Sequence, residues 1–372
     1  MKLNRRKLLI SLGILTAAGV STSFMLPTKA FGKVPSGDRL LRVRRSRNYA
    51  GEAFKNIEPT EVMRPDVPFT KLIKETFNRP KLGVPDFVLP SVSTDLRNLP
   101  DAEPVVVWFG HSCYMIKHKG FTILVDPVFS GSVSPVGILG KAFPGTNTYQ
   151  HTDFGKIDML ILTHDHYDHL DYETVVRIHP QVKHIYTSLG VGSHLEYWGV
   201  PNEKVTELDW TDTAIAQPGI ELTATPARHF SGRLFARGRT LWSSFVLKLN
   251  GYKIFVGGDS GYDVHFKELG KKYGPFDLAM LECGQYGENW PNIHMFPEET
   301  AQAAIDIKAK VLLPVHWGKF QLSTHVWDAS IKRLVPAAEK LGLTITTPMI
   351  GQPITIGAAP VTHKWWEDKP VV

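Results

Sequence analysis

From residue 104 onward, short apolar runs alternate with polar breaks, and their lengths predict a strand-rich body. Val105-Val106-Val107-Trp108-Phe109 has the length of a strand, and Cys113–Lys117 and Phe121–Val125 follow, joined by a turn at His118-Lys119-Gly120. Met159-Leu160-Ile161-Leu162 is a buried-strand run that ends directly in Thr163-His164-Asp165-His166-Tyr167-Asp168-His169. Residues 171–178 and 190–198 are expected as helices, with a strand at 182–187 between them. A second strand group covers 220–225, 242–249 and 253–256, and Asn250-Gly251 marks a hairpin. Helices are expected at 263–273, 297–308 and 328–341, with strands at 278–281 and 311–314. Pro297-Glu298-Glu299 opens its helix as an N-terminus should. Each half runs strands first and then alternates helix and strand. That order predicts an α/β, four-layer αββα sandwich of two mixed sheets with helices outside. No internal repeat of fixed period is present.

Outside this body the pattern changes. Residues 31–100 are rich in proline and charge with little periodicity, and read as an extended arm wrapping a domain at 101–350. Residues 351–372 read as a C-terminal tail. Residues 1–30 carry Asn4-Arg5-Arg6-Lys7-Leu8-Leu9, an apolar stretch to about Leu26, and Thr28-Lys29-Ala30. A basic start, an apolar middle and a small-residue end describe an export signal, and the paired arginines resemble a twin-arginine signal. The expectation is cleavage and a periplasmic or cell-envelope location. The other reading is an uncleaved membrane anchor, which Gly13, Gly19, Ser21, Thr22 and Ser23 weaken.

Charge sharpens this division. The formal charge is +6, yet residues 1–50 hold eleven basic side chains and one acid, Asp38. From residue 51 the balance is 31 basic against 35 acidic. The basic character belongs to the N-terminal extension, so no nucleic-acid partner is expected. The cluster Arg42–Arg47 has two readings, a contact with anionic lipid headgroups or nucleic acid, or a solvated arm. Two cysteines, Cys113 and Cys283, cannot build a disulfide scaffold, and without a CxxC pair thiolate zinc binding is not expected.

The chemistry lies at the ends of apolar runs. His164, His166, Asp168 and His169 fall within six residues, and His229, Asp259 and His316 each follow a later strand. Imidazole and carboxylate are the zinc ligands that remain when thiolate is absent. Seven such groups exceed one tetrahedral ion and match two Zn2+ per chain, three terminal ligands each, with one bridging carboxylate. A hydroxide between ions roughly 3.5–4 Å apart is a nucleophile at neutral pH. His118, His179, His184 and His194 read as surface or packing residues. His111 and Asp126 are candidates to orient the ligands. Arg228 and Arg233 either attract an anionic substrate or form ion pairs.

The HxHxDH segment with a distant His, Asp and His resembles the metallo-β-lactamase superfamily. Further segments resemble its N-acyl-phosphatidylethanolamine-hydrolysing phospholipase D branch and bacterial relatives, including lactonase-type hydrolases. They are Trp108-Phe109-Gly110-His111-Ser112, Asp126-Pro127-Val128-Phe129-Ser130, Ala227-Arg228-His229-Phe230-Ser231-Gly232-Arg233, Gly258-Asp259-Ser260-Gly261-Tyr262 and Pro314-Val315-His316-Trp317-Gly318. The resemblance implies His164, His166 and His229 on one zinc, Asp168, His169 and His316 on the other, and Asp259 as the bridge. It implies a catalytic His294 near a scissile phosphate, although Ile293 stands where the phospholipase has a polar residue. Asp168 or a water is the expected proton acceptor. The function implied is a zinc-dependent phosphodiesterase acting on phospholipid. Another small ester, a lactone or a β-lactam is the alternative substrate, and a non-catalytic metal-binding envelope protein is the alternative of another class.

Overall fold

The turns that the sequence marks most clearly do form. Asn250 (φ 50°) and Gly251 (φ 98°) both lie in the left-handed region, as a two-residue hairpin turn requires, and join antiparallel strands Ser244–Leu249 and Tyr252–Val256. Lys119 and Gly120 do the same between Tyr114–His118 and Phe121–Val125. The structure is a computed structural model describing residues 28–368, apart from 69, 72–73, 76–77, 79 and 136–139.

Two sheets carry the fold. The first has seven strands in the order Pro353–Thr355, Val105–Trp108, Tyr114–His118, Phe121–Val125, Ile157–Leu162, Val182–Ser188 and Val205–Leu208. The pairings are antiparallel up to Phe121–Val125 and parallel beyond it. The second has six, in the order Leu312–Val315, Leu278–Glu282, Tyr252–Val256, Ser244–Leu249, Ile220–Thr225 and Thr213–Gln217.

Strand alternation assigns each face. Val106, Ile116, Ile123, Met159 and Ile161 of the first sheet share a core with Leu222, Ala224 and Leu247 of the second. Their neighbours Val105, Val107, Met115, Leu160 and Leu162 point the other way, onto Val175, Ile178 and Leu195 of helices Tyr172–Ile178 and Gly192–Tyr197. Helices His265–Lys272, Pro297–Asp306 and Ala329–Lys340 cover the second sheet with Phe266, Leu269, Ala301, Ala304, Ile331 and Leu334. This is the αββα sandwich. Each side chain so buried contributes about 1.5–3 kcal/mol, which keeps the strand ends rigid where the polar loops begin.

The flanking segments pack on this body. The arm contains a helix, Gly37–Arg45, which its proline-rich composition does not announce. Val43 of that helix is fully buried with Leu189, Trp210 and Leu241. Arg39 and Arg42 donate to Glu207 at 3.0 and 3.2 Å, so part of the basic cluster is tied to the body. The stretch read as a tail supplies edge strand Pro353–Thr355 and the buried pair Trp365 and Trp366, and Trp365 stacks on Trp317 with ring centroids 5.2 Å apart. Cys113 and Cys283 are buried free thiols. The export-signal reading of residues 1–30 falls outside the described residues up to residue 27. Among the described residues no helix is long and apolar enough to cross a membrane.

Candidate metal centre

All the candidate ligands sit where strands end, at one edge of the sandwich. Strand Ile157–Leu162 delivers the 163–169 loop, and its neighbour Phe121–Val125 delivers Asp126. Buried Asp126 organises that loop: it accepts from the Thr163 N–H (2.8 Å), the Thr163 hydroxyl (2.6 Å) and His169 Nδ1 (2.8 Å). The second sheet delivers Asp259 after Tyr252–Val256 and His316 after Leu312–Val315. Gly257 and Gly258 precede Asp259, and a Cβ on Gly257 would stand 2.5 Å from the Met280 carbonyl oxygen, so only glycine lets the loop pass there.

Three ring nitrogens converge first. His164 Nε2 lies 2.9 Å from His166 Nδ1, which lies 3.2 Å from His229 Nε2. The far nitrogens of two of these rings are engaged: His229 Nδ1 donates to the Ile293 carbonyl at 2.8 Å, and His164 Nδ1 lies 3.0 Å from the Thr163 hydroxyl. These bonds leave two lone pairs aimed at the His166 nitrogen. A cation between them satisfies all three.

The second group is Asp168, His169 and His316, with His111 beside it. His169 Nε2 and Asp259 Oδ1 are buried without a hydrogen-bond partner, which is costly for a polar atom unless a ligand completes it. Asp259 faces both groups. Its Oδ2 lies 3.2 Å from His169, 3.7 Å from His229 and 3.8 Å from His164, and its Oδ1 lies 3.3 Å from His316. The donor chemistry and the orphaned atoms therefore fit metal at both groups.

Charge follows from this packing. Burial works against any charge here, yet the surrounding imidazoles hold the carboxyls of Asp168 and Asp259 well below the usual carboxylate range. Burial drives His164, His229 and His316 well below the ordinary imidazole value, which keeps them neutral and able to ligate.

The supports are specific. His111 Nε2 donates to Asp168 Oδ2 at 2.9 Å, and Ser112 Oγ lies 3.0 Å from His316 Nδ1. His111 (φ 53°), Asp126 (φ 41°) and His316 (φ 66°) all hold left-handed backbone, strained for residues with side chains. Reciprocal bonds fix two of them, with His316 N donating to the His111 carbonyl and His111 N donating to that of Trp317. His111 and Asp126 are thus placed as orienting groups. Arg233 is buried, donating to the backbone oxygens of Ala30, Asp165 and Leu170, and so braces the loop instead of facing a substrate. Arg228 bonds Thr60 and the Tyr262 carbonyl.

His294 joins the rim, its ring 5.0 Å from that of His229 and 5.3 Å from that of His316. Its Nδ1 donates to both oxygens of Glu282, at 3.0 and 2.9 Å. Glu282 is fully buried and also accepts from the Ser260 N–H, next to Asp259. Burial opposes the charge on His294, but the Glu282 carboxylate overrides it and raises the imidazole to about 9. Sequence reasoning missed Glu282. Its signal was an acid closing the apolar run Leu278–Leu281, the same position the ligands occupy on their strands. His194, read as surface or packing, is buried and lies 3.2 Å from Asp165, which fixes the 163–169 loop from behind.

Residues 122–317 match the family described as Beta-lactamase superfamily domain. An uncharacterised protein of Mycobacterium tuberculosis is 36% identical over 326 residues, covering 86% of this chain and 87% of its own. N-acyl-phosphatidylethanolamine-hydrolyzing phospholipase D 1 of Caenorhabditis elegans is 30% identical over 251 residues, 63% of this chain and 70% of its own. Among solved structures, Igni18, a metallo hydrolase from Ignicoccus hospitalis, superposes with TM-score 0.53 at 20% identity over 69% of this chain and 99% of its own, a likeness of fold. From its fold, its ligand geometry and these relatives, the chain belongs to the β-lactamase superfamily, as a metallo-β-lactamase-fold hydrolase related to the N-acyl-phosphatidylethanolamine-hydrolysing phospholipase D branch.

Proposed function

We propose that the protein is a two-zinc phosphodiesterase of the cell envelope that hydrolyses phospholipids of the N-acyl-phosphatidylethanolamine type. The observation that carries the two-ion reading is Asp259, a single buried carboxylate facing two groups of ligands, each incomplete without a cation. His164, His166 and His229 would hold one zinc, Asp168, His169 and His316 the other, and Asp259 would bridge. Zinc so bound supplies Lewis acidity, lowering the pKa of water and polarising an oxygen of the substrate.

The remaining work falls to the chain's own groups. His111 orients the Asp168 carboxylate as a proton acceptor. His294, held protonated by Glu282, offers its other nitrogen to an anionic phosphate oxygen at the rim. A protonated imidazole suits a phosphodiester better than a neutral lactone, and the relatedness to the phospholipase branch points the same way.

The test is metal analysis of the purified full chain with assays on a phospholipid, a lactone and a β-lactam. Two zincs per chain and phosphodiester cleavage that His166→Ala abolishes are expected. In Asp259→Ala both occupancy and rate should fall. Zinc present with every phosphodiester inert, or cleavage of the lactone alone, would overturn the substrate assignment.

A further inference from the structure

The short hairpin Gly232–Arg233 and Ala236–Arg237 begins three residues after ligand His229 and turns through Leu234 and Phe235. Two-residue turns of this kind favour glycine or asparagine. Here a leucine adopts φ 55°, and both turn residues stand in solvent, Leu234 56% and Phe235 72% exposed. A strained leucine and a bare phenylalanine at a tip do nothing for the core.

The setting is basic and apolar together. Arg237 is exposed and its guanidinium lies 5.5 Å over the ring of Phe230, which packs 4.5 Å from the ring of His166. Arg239 follows, reaching Glu52 at 3.1 Å, and Lys33 is exposed across a cleft of about 410 Å³ lined by Phe31, Val34, Leu234 and Phe235. The base of the hairpin does not swing freely. Gly232 N donates to Asp165 Oδ1 at 2.6 Å, and Arg233 to the Asp165 and Leu170 carbonyls, both at 2.8 Å.

We propose that this hairpin is a membrane-docking element: Leu234 and Phe235 enter the outer part of an anionic phospholipid bilayer while Arg237, Arg239 and Lys33 meet its headgroups. Apolar residues at the tip with cations behind them match the layering of such a surface, acyl region first and phosphate second. Because the hairpin is clamped to the 163–169 loop, docking sets the metal centre at headgroup depth. The proposal rests on the phospholipid reading for its purpose, but its evidence is this surface alone.

The experiment uses the full chain. Its two native cysteines are buried, so a thiol at Phe235→Cys takes a bimane label selectively. Ile215→Cys, 70% exposed and paired with Glu221 at the end of its strand away from the site, is the control. On vesicles of phosphatidylcholine with phosphatidylglycerol and doxyl-labelled lipid, quenching at position 235 and none at 215 is expected. Pure phosphatidylcholine should bind more weakly, and Arg237→Gln should weaken binding about fivefold. Leu234→Ser with Phe235→Ser should cut vesicle binding and turnover of vesicle phospholipid by roughly tenfold or more. The same variant should leave hydrolysis of soluble bis-para-nitrophenyl phosphate unchanged. A label at 235 that stays in water on bound protein, or a double-serine variant that binds as wild type, overturns the proposal and assigns membrane contact to the N-terminal apolar sequence. Insertion at 235 with no phosphodiester cleaved leaves the docking surface standing and removes the phospholipase reading.

Discussion

Glu282 shows how much one side chain can do from behind. It makes no hydrogen bond to the seven candidate ligands, although its carboxylate lies within 4.8 Å of ligand atoms of Asp259 and His316, and it fixes the His294 ring with two oxygens and ties it to the backbone beside Asp259. Glu282→Gln keeps the shape and removes the charge that holds the His294 proton. The expected result is a 10–100-fold loss in kcat with zinc content unchanged, read by steady-state kinetics beside metal analysis. A loss of zinc instead would show Glu282 serving the ligands. Lys319 offers a test of stability. Its amine is buried, donates to the carbonyls of Phe109 and Val128, and is pushed down by that burial to about 8. Between pH 8 and 10.5 the unfolded chain therefore binds more protons than the native one, so this group adds stability as pH rises through that window. Relative to Lys319→Met, the wild type should gain on the order of 3 kcal/mol across it, measured by denaturant unfolding at each pH.

Hairpins, helices and strands were legible from the sequence in proportion to how fully they are buried. The strand Ile157–Leu162 is buried at every position, and its apolar run announced both it and the loop it feeds. Thr213–Gln217 is an edge strand whose residues alternate between exposed and half-buried, so its composition carries no such run. Val205–Leu208 has the same weakness, with only two buried positions. Helix Gly37–Arg45 escaped because it is short, five of its nine residues are charged, and only Val43 is buried, which leaves too brief an apolar pattern to read. The ligands were legible because they stand in a dense local motif. Glu282 and the bracing role of Arg233 were not, since each depends on partners far away in the sequence. Arg233 predicts accordingly. Arg233→Met leaves three buried carbonyls short of donors, and a destabilisation of about 3–5 kcal/mol is expected, with lowered zinc affinity. Thermal unfolding and metal titration would read both. A variant as stable as the wild type would mean that the 163–169 loop needs no brace.

Taken together, the molecule is two sheets joined at one edge by a cluster in which His169 Nε2 and Asp259 Oδ1 have no hydrogen-bond partner in the absence of a cation. Removing metal should therefore loosen more than the site. With chelator, the midpoint of thermal unfolding should fall, and zinc at a hundred times its Kd should restore about 2.7 kcal/mol. An unchanged midpoint on chelation would mean that the ligand cluster is already satisfied internally. Such coupling was partly foreseeable, because HxHxDH lies on one sheet while Asp259 and His316 lie on the other.

The closing strand has a consequence in time. Val106 pairs with Ile354, and Trp108 and Trp317 meet Trp365. These contacts join the first strand of the body to residues about 250 positions further along the chain, and pairings so distant in sequence are slow to find. Trp317 adjoins candidate ligand His316, so that residue is held in place only when residues 353–365 arrive. Maturation of the candidate metal centre is thus tied to the synthesis of residues 353–365, and a chain interrupted before residue 353 would expose both an unpaired sheet edge and an unfinished site.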